Sequence, residues 1–329
     1  MRAAVYREPG PATDVLRLEE IDTPSPGPGE VRVRIAYSGV NPTDWKARSG
    51  MVPQPRTSHF QVPNQDGAGV VDEVGPGVDP ARIGERVWLY MAAYRRPWGS
   101  AAQYTVIPSD QAVPLPENAS MQLGATLGVP AVTAHRCLFA DGPLDGRTVL
   151  VAGGAGAVGR YAIQQALAAG ATVISTVSSA AKADLAREAG ARHVVNYRGP
   201  SAAEEIRALA PEGIDRIIEV ALASNLVLDL AVAAPHSTIA CYAAEPQPAE
   251  LAVRELMNRN LLLRFVLLYT MPEEAFLQAA ADITTALAAG LLTPPPVTVF
   301  PFEDTAAAHD AVQDGTVGKV LIAVDPDVT

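Results

Sequence analysis

The stretch Val149-Leu150-Val151-Ala152-Gly153-Gly154-Ala155-Gly156-Ala157-Val158-Gly159 decides the fold of this chain of 329 residues. Apolar residues lead into two overlapping glycine patterns, G-x-G-x-x-G from Gly154 and G-x-x-G-x-x-G from Gly153. Such glycines permit a tight turn after a strand and let a pyrophosphate approach the free N–H groups of the following helix. We therefore predict a dinucleotide-binding loop made of Gly153, Gly154, Gly156, Ala157, Val158 and Gly159.

The residues around this loop repeat a strand–helix pattern. Short apolar strands alternate with alanine-rich helical segments, which is typical of a doubly wound parallel sheet. The predicted strands are 148–152, 171–177, 193–196, 214–220, 237–242 and 262–268. The pattern predicts a Rossmann domain over residues 125–269.

The residues before the Rossmann domain have a different pattern. In residues 1–124, Pro and Gly clusters separate short alternating runs, such as Val31, Val33 and Ile35 interleaved with arginines. This predicts a mostly antiparallel β domain. Residues 270–329 return to mixed structure, and we expect them to complete that first domain.

The bulk composition excludes several classes of protein. A net charge of −11 argues against nucleic acid or an anionic membrane as the main partner, because both require a basic surface. The longest apolar stretch, Leu261–Tyr269, contains Arg264 and is too short to span a bilayer. Two cysteines provide no disulfide framework, and the N-terminus lacks the apolar core of a signal peptide. We expect a cytoplasmic protein.

The end of the second Rossmann strand indicates which nicotinamide nucleotide binds. An NAD site places Asp or Glu there to hold the ribose 2′-hydroxyl. This chain has Ser178 instead, with Lys182 one turn later and Tyr197 just past the third strand. Hydroxyl and ammonium groups suit a 2′-phosphate, which a carboxylate would repel. The predicted cofactor is NADPH.

Several stretches together resemble the quinone oxidoreductase (zeta-crystallin-like) branch of the medium-chain dehydrogenase/reductase superfamily, over nearly the whole chain. These stretches are Gly39–Asp44, Asp66–Val71, Leu127–Ala134, the glycine loop, Asn196-Tyr197 and Gly318-Lys319-Val320. The resemblance implies a GroES-like domain beside the Rossmann domain, an active site in the cleft, NADPH dependence and a homodimer.

The resemblance also implies roles for individual residues. It places Asn41 and Asp44 near the nicotinamide and substrate, Thr133 near the nicotinamide riboside, and Lys319 among the cofactor contacts. Asn41-Pro42 is also compatible with a plain turn, and Asp44 with a helix cap. Zinc-dependent relatives have Cys and His at positions that align with Asn41 and Gln65, so we expect no metal here.

Two positions depart from the family pattern, and one arginine is unusual. Lys46 and Val52 stand where family members often have tyrosines that line a quinone pocket. This difference argues against simple quinones as the natural substrate. Arg264 interrupts an apolar strand, so we expect it to pair with either a carboxylate or a bound ligand. We predict that Asn41, Asp44, Lys46 and Arg264 lie at the reacting centre.

Three functions are compatible with the sequence. The first is a metal-free, NADPH-dependent reductase of quinones or α,β-unsaturated carbonyls. The second is an ene-reductase that tailors a specific secondary metabolite, such as a polyketide. The third is an NADPH-binding structural or regulatory protein with little turnover, because binding motifs alone do not prove catalysis.

Overall fold

The computed structural model describes residues 1–52 and 58–329 and divides the chain into two compact units. The first unit contains Met1–Val129, Ala280–Gly290 and Pro296–Thr329; the second contains Pro130–Ala279 and Leu291–Pro295. The sequence-based boundaries at 124/125 and 269/270 therefore lie five and ten residues before the structural ones at 129/130 and 279/280. The reason is that helices run through both transitions: one spans Gly128–Phe139 and another spans Glu273–Ala288.

Most β-strands are short, and the longest lie at the centre of the first unit and in the second unit. The strands are β1 (Arg2–Val5), β2 (Arg17–Glu20), β3 (Glu30–Val40), β4 (Asp66–Val74), β5 (Arg86–Leu89), β6 (Tyr104–Pro108), β7 (Ala112–Pro114), β8 (Thr148–Ala152), β9 (Thr172–Val177), β10 (His193–Asn196), β11 (Ile214–Glu219), β12 (Ala233–Cys241), β13 (Leu262–Phe265), β14 (Val297–Pro301) and β15 (Lys319–Ala323).

The α-helices are concentrated in the second unit and at its borders. They are α1 (Ala12–Val15), α2 (Pro42–Ser49), α3 (Met121–Gly124), α4 (Gly128–Phe139), α5 (Ala157–Ala168), α6 (Ala180–Glu188), α7 (Ala202–Leu209), α8 (Leu222–Val232), α9 (Val253–Asn258), α10 (Glu273–Ala288) and α11 (Thr305–Gln313). Among the described residues, no helix is both long enough and apolar enough to cross a bilayer.

The first unit is built on a seven-stranded sheet in the order β14-β15-β3-β4-β5-β7, and β6 also pairs with β3. Its pairs are antiparallel except for β14 with β15. Along β3, Val31, Val33 and Ile35 are fully buried, whereas Arg32 and Arg34 reach acidic partners at the surface. This confirms the predicted half-buried strand and the mostly antiparallel, GroES-like domain.

The second unit contains the predicted parallel sheet, in the order β10-β9-β8-β11-β12-β13. All its pairs are parallel, and helices α5 to α8 follow the strands in alternation. This is the strand order of a Rossmann fold, in which the order reverses between the first and fourth strands, here β8 and β11. Ligands of such sheets bind outside the carboxyl ends of these two strands.

Candidate active site

The glycine loop between β8 and α5 has the conformation that its glycines permit. Gly153 has a positive φ of 70°, which a residue with a side chain rarely adopts. A β-carbon on Gly154 would collide with Oγ of Ser175 on β9, and one on Gly159 would collide with the carbonyl oxygen of Gly153. These three glycines are therefore required for the turn and for close packing of α5 against the sheet.

Gly156 differs from its neighbours because the space in front of it is open. It is the N-cap of α5 and is exposed, and a β-carbon there would approach nothing closer than 3.4 Å. The first N–H groups of a helix, here those of Ala157 and Val158, have no intrahelical acceptor. An exposed glycine in front of unpaired helix N–H groups fits a pyrophosphate, with the helix dipole adding attraction.

The groups predicted to recognise a 2′-phosphate lie at one edge of the second unit. Asn196 pairs with Val177 in the β9–β10 register, and the Tyr197 N–H donates to the Val177 carbonyl over 3.1 Å. Ser178 and Tyr197 therefore both follow directly after the carboxyl ends of neighbouring strands. Lys182 is in the first turn of α6, where its N–H donates to the capping Oγ of Ser179.

A cation that the sequence analysis missed lies beside this edge. The Arg198 guanidinium lies 6.0 Å from the centre of the Tyr197 ring, a cation–π contact. The sequence could have indicated Arg198, because it directly follows Tyr197, which was already predicted to lie at the 2′-phosphate. Thr133, by contrast, lies on α4 and is only 5% exposed, so its role at the nicotinamide stays a prediction.

The first unit contains a buried cluster of polar side chains around Asn41. The Asn41 amide nitrogen Nδ2 donates to Oδ2 of Asp66 over 2.8 Å, and the ammonium Nζ of Lys319 donates to Oδ1 of Asn41 over 2.5 Å. The same ammonium lies 2.6 Å from Oδ2 of Asp66. Asn41, Asp66 and Lys319 are each at most 3% exposed. Each side chain in this triangle therefore bonds to the other two.

Backbone groups and glycines close the cluster. The Val129 N–H donates to Oδ1 of Asp66 over 2.7 Å. A β-carbon on Gly39 would lie 3.0 Å from both the Asp66 Cβ and the Lys319 Cε, and one on Gly128 would collide with Asp66 Oδ1. The two glycines thus leave the room that the ion pair occupies.

Asp44 adds a second carboxyl group beside this cluster. Its Oδ2 accepts from the Asn41 backbone N–H over 2.7 Å, which caps the start of α2, and its Oδ1 is buried without a partner. Burial, and then the negative charge of Asp66, raises the pKa of Asp44 to about 8. Asp44 is therefore protonated and neutral at pH 7. The sequence predicted two roles for Asp44, a helix cap and a residue of the active site. The observed cap does not prevent the second role, which stays a prediction.

The comparisons with known proteins cover nearly the whole chain. The family "Alcohol dehydrogenase GroES-like domain" matches residues 27–117, and "Zinc-binding dehydrogenase" matches residues 157–285. Quinone oxidoreductase of Sus scrofa is 30% identical over 323 residues, covering 97% of this chain and 96% of its own.

The chain belongs to the quinone oxidoreductase branch of the medium-chain dehydrogenase/reductase superfamily. A 2-haloacrylate reductase of a Burkholderia species is also 30% identical, with 98% of each chain covered. A mycobacterial protein solved in complex with NADPH superimposes with a TM-score of 0.84 at 29% identity, covering 98% of this chain and 100% of its own. This member of the branch is therefore an oxidoreductase with a nicotinamide-nucleotide site.

The zinc positions of this superfamily are occupied differently in this quinone oxidoreductase homologue. Asn41 bonds to Asp66 and Lys319. The Gln65 side chain is buried and its Oε1 has no donor. In the described ranges, no group of three or more His, Cys, Asp or Glu side chains could hold a metal ion.

Two cations that were predicted to reach ligands have protein partners instead. Lys319 was expected to contact the cofactor, but it is only 3% exposed and its ammonium binds Asn41 and Asp66. This ion pair compensates the Asp66 carboxylate, whose burial alone would be costly. The guanidinium of Arg264 forms a bidentate ion pair with Asp141, which is the carboxylate alternative of its predicted partners. Hydrogen bonding from Arg264 lowers the pKa of Asp141. The structure thus gives neither cation a free charge for a ligand.

Lys46 has no carboxylate partner among the described residues, and neither does Arg48 of the same helix, which donates to the Gly10 carbonyl and to the Gln313 side chain. Lys46 lies in α2, half-buried, with its ammonium 5.8 Å from the centre of the Trp45 ring. No ion pair involves Lys46 in the part of the chain that the structure describes. Lys46 also belongs to a small set, because the chain has only three lysines: Lys46, Lys182 and Lys319.

Proposed function

We propose that this oxidoreductase uses NADPH to reduce a quinone or an α,β-unsaturated carbonyl, without a metal. The observation that carries the proposal is the edge formed after β9 and β10. It presents the hydroxyls of Ser178 and Tyr197 and the nearby cations of Lys182 and Arg198, with no carboxylate at the end of β9. A 2′-phosphate is the group that such an edge recognises best. The NADPH complex of the mycobacterial relative supports the same choice.

When bound, the nicotinamide supplies a hydride, and two-electron reduction of the acceptor places negative charge on a carbonyl oxygen. The chain's contribution is to hold the acceptor and to donate hydrogen bonds to that oxygen. An amide nitrogen carries two hydrogens, and Asn41 Nδ2 uses one for Asp66, which leaves one for the acceptor. Its bonds to Asp66 and Lys319 fix the amide in one orientation.

Asp44 and Lys46 complete the proposed acceptor site on α2. Asp44 holds the Asn41 backbone and keeps its own charge suppressed by burial, so that it does not repel an oxyanion. Lys46 supplies a more accessible cation about one and a half helical turns beyond the N-cap residue Asn41. Protons reach the reduced product from water, so no dedicated general acid is required.

A second candidate is an ene-reductase specific for one metabolite that bears a negative charge. The observation that favours it is Lys46, which replaces a frequent tyrosine of the family and has no ion-pair partner among the described residues. The 2-haloacrylate reductase relative has a name that describes such an acceptor.

The test compares cofactors and acceptors side by side. We expect NADPH to bind more tightly than NADH, and NADPH oxidation to be driven by benzoquinone, naphthoquinone, cyclic enones or acrylates. A preference for acrylates that disappears in Lys46→Ala would support the second candidate. Equal affinities for NADPH and NADH would contradict the cofactor proposal. Tight NADPH binding without turnover of any acceptor would favour a structural or regulatory role.

We also propose that the chain works as a homodimer in the cytoplasm. Strand β13 is the outer strand of the parallel sheet in the part of the chain that the structure describes. Phe265 at its end is 68% exposed, and Leu267, two residues further on, is 56% exposed. An apolar, unpaired edge strand is a surface that a second copy would cover. Light scattering of the purified protein tests this: Phe265→Lys should convert a dimer into a monomer, and a monomeric wild type would refute it.

A further inference from the structure

A second pair of buried carboxyl groups lies beside the glycine loop, at the end of β11. The loops after β8 and β11 border the crevice at which the strand order reverses. They lie close together: a β-carbon on Gly153 would be 3.4 Å from the Val220 side chain. The residue before Val220 is Glu219, which is fully buried. The conformation of this turn therefore forms one wall of the crevice.

Glu219 holds the turn between β11 and α8. Its Oε1 accepts from the Ala221 backbone N–H and, over 3.0 Å, from the Asn225 side-chain amide. Ala221 is the N-cap of α8 and has no side-chain acceptor of its own. Glu219 thus ties the start of α8 to the end of β11, while Glu245 caps the first turn of the helix by accepting from the Ser224 backbone N–H over 3.1 Å.

The Glu219 side chain is a hydrogen-bond partner of the Asp229 side chain on α8. Asp229 is 1% exposed, and neither its Oδ2 nor the Glu219 Oε2 has an N–H or O–H donor from any other group. Two adjacent buried carboxylates cannot both be ionised, and a bond between them requires one proton. Burial, followed by the charge of Glu219, raises the pKa of Asp229 well above its ordinary value. Asp229 therefore holds the proton and donates to Glu219.

The other groups that face the pair remain neutral at physiological pH. Cys241 is the last residue of β12, and Tyr242 follows it. Burial raises the pKa of both side chains. No arginine or lysine forms an ion pair with either carboxyl in the described part of the chain. The proton of Asp229 is therefore the group that can compensate the Glu219 charge.

We infer that Asp229 and Glu219 act together as a positioning pair, in which the shared proton fixes the β11–α8 turn and thereby sets the affinity of the crevice for the nicotinamide nucleotide. This inference rests on the proposed function. Loss of the proton at high pH puts two negative charges next to each other, which pushes α8 away from the turn. Cofactor affinity should consequently fall at high pH, while the folded chain persists.

The experiment measures the Kd for NADPH by fluorescence titration from about pH 6 to about pH 10 for wild type, Asp229→Asn, Asp229→Ala and the exposed control Glu204→Gln on α7. We expect the wild-type Kd to rise by about tenfold across this range, the scale of one charge-assisted bond. Asp229→Asn keeps a permanent donor, so its Kd should stay flat. Asp229→Ala should bind about tenfold more weakly even at neutral pH.

A second measurement does not depend on the cofactor. The infrared spectrum of the free protein at neutral pH should contain the carbonyl band of a protonated carboxyl that Asp229→Asn lacks and Glu204→Gln retains. An unchanged spectrum in Asp229→Asn, or wild-type and Asp229→Asn titrations with the same pH profile, would overturn the inference. Absence of any nucleotide binding by the wild type would instead refute the proposed function, and the infrared result would still decide the state of the pair.

Discussion

The glycine loop and the Asn41–Asp66–Lys319 cluster are built in opposite ways. The loop offers backbone groups to a ligand, whereas the cluster consists of side chains that bind one another. The loop is made of consecutive residues whose lack of side chains exposes backbone N–H groups. The cluster is made of side chains that are 25 to 278 positions apart and neutralise one another in the interior. Substitutions in the loop or at the neighbouring edge after β9 and β10 should therefore change ligand affinity. Substitutions in the cluster should change stability and turnover.

The largest effect is expected from pH acting on Asp44. The folded chain keeps a proton on Asp44 up to about pH 8, whereas the unfolded chain releases it near the ordinary pKa of 3.8. Stability should therefore fall as pH rises between these values, by up to about 1.4 kcal/mol per pH unit. Urea unfolding across this range should show a shallower fall for Asp44→Asn. The exposed control Asp327→Asn should keep the wild-type slope, and an identical slope in Asp44→Asn would contradict the assignment.

Removal of the cation should be the most damaging single substitution in the cluster. Lys319→Ala leaves the Asp66 carboxylate buried and unpaired, so we expect a loss of about 3–5 kcal/mol in the free energy of unfolding. Arg2→Ala breaks the exposed ion pair with Glu303 in the same unit and should leave the free energy of unfolding almost unchanged, because solvent screens such pairs. Urea denaturation compares the two. Similar small losses would show that the cluster is not a tight buried pair.

Asn41→Ala should separate turnover from cofactor binding. Loss of the proposed donor to the carbonyl oxygen should lower kcat by about ten- to a thousand-fold. The NADPH Kd should remain close to wild type, because the glycine loop and the proposed 2′-phosphate edge lie in the second unit. Asn118→Ala removes bonds to the end of α10 and is the control, with unchanged kcat expected. An undiminished kcat in Asn41→Ala would remove this residue from the mechanism.

At the edge beside the glycine loop, Lys182→Ala should change affinity without changing stability. We expect the preference for NADPH over NADH to shrink by roughly 1–2 kcal/mol, the value of a charge-assisted contact. Arg187→Ala on the same helix removes a cation that pairs with Asp184 and should leave the preference intact. Nucleotide titrations decide it, and an unaltered preference in Lys182→Ala would place the 2′-phosphate elsewhere.

Metal removal by a chelator should have the smallest effect, because we expect the rate of NADPH oxidation to stay unchanged. The positions that hold zinc in relatives carry amides here, and one of these amides binds an ammonium group. NADPH oxidation should survive prolonged dialysis against a chelator, and elemental analysis should find no stoichiometric zinc. One zinc per chain would require a different arrangement of Asn41 and Gln65.

The difference between the two regions also explains what the sequence could predict. The loop and the alternating strands are local patterns, and the register of parallel strands follows from them, so Ser178 and Tyr197 were found together. The ion pair of Lys319 with Asp66 could not be found, because no local pattern links residues 253 positions apart. The same holds for Arg264, for which a carboxylate was one of two expected partners and Asp141 could not be named.

The pair of Glu219 and Asp229 was missed for a different reason. A strand that ends in Ile-Ile-Glu, followed ten residues after that Glu by an Asp on an apolar helix, is a visible local signal. Its meaning depends on both side chains facing inward, which only the packing of α8 on the sheet decides. Buried acids on otherwise apolar elements are therefore worth pairing when such a sequence is read.

The scarcity of lysine gives this chain an intrinsic chemical probe. Lys319 is enclosed with Asp66, so amine-reactive reagents are left with Lys46 and Lys182 among the lysines. One of these marks the proposed acceptor site and the other the proposed 2′-phosphate edge. Acylation followed by mass spectrometry thus distinguishes the occupancy of two sites in one experiment, with the nucleotide protecting one lysine and the acceptor protecting the other.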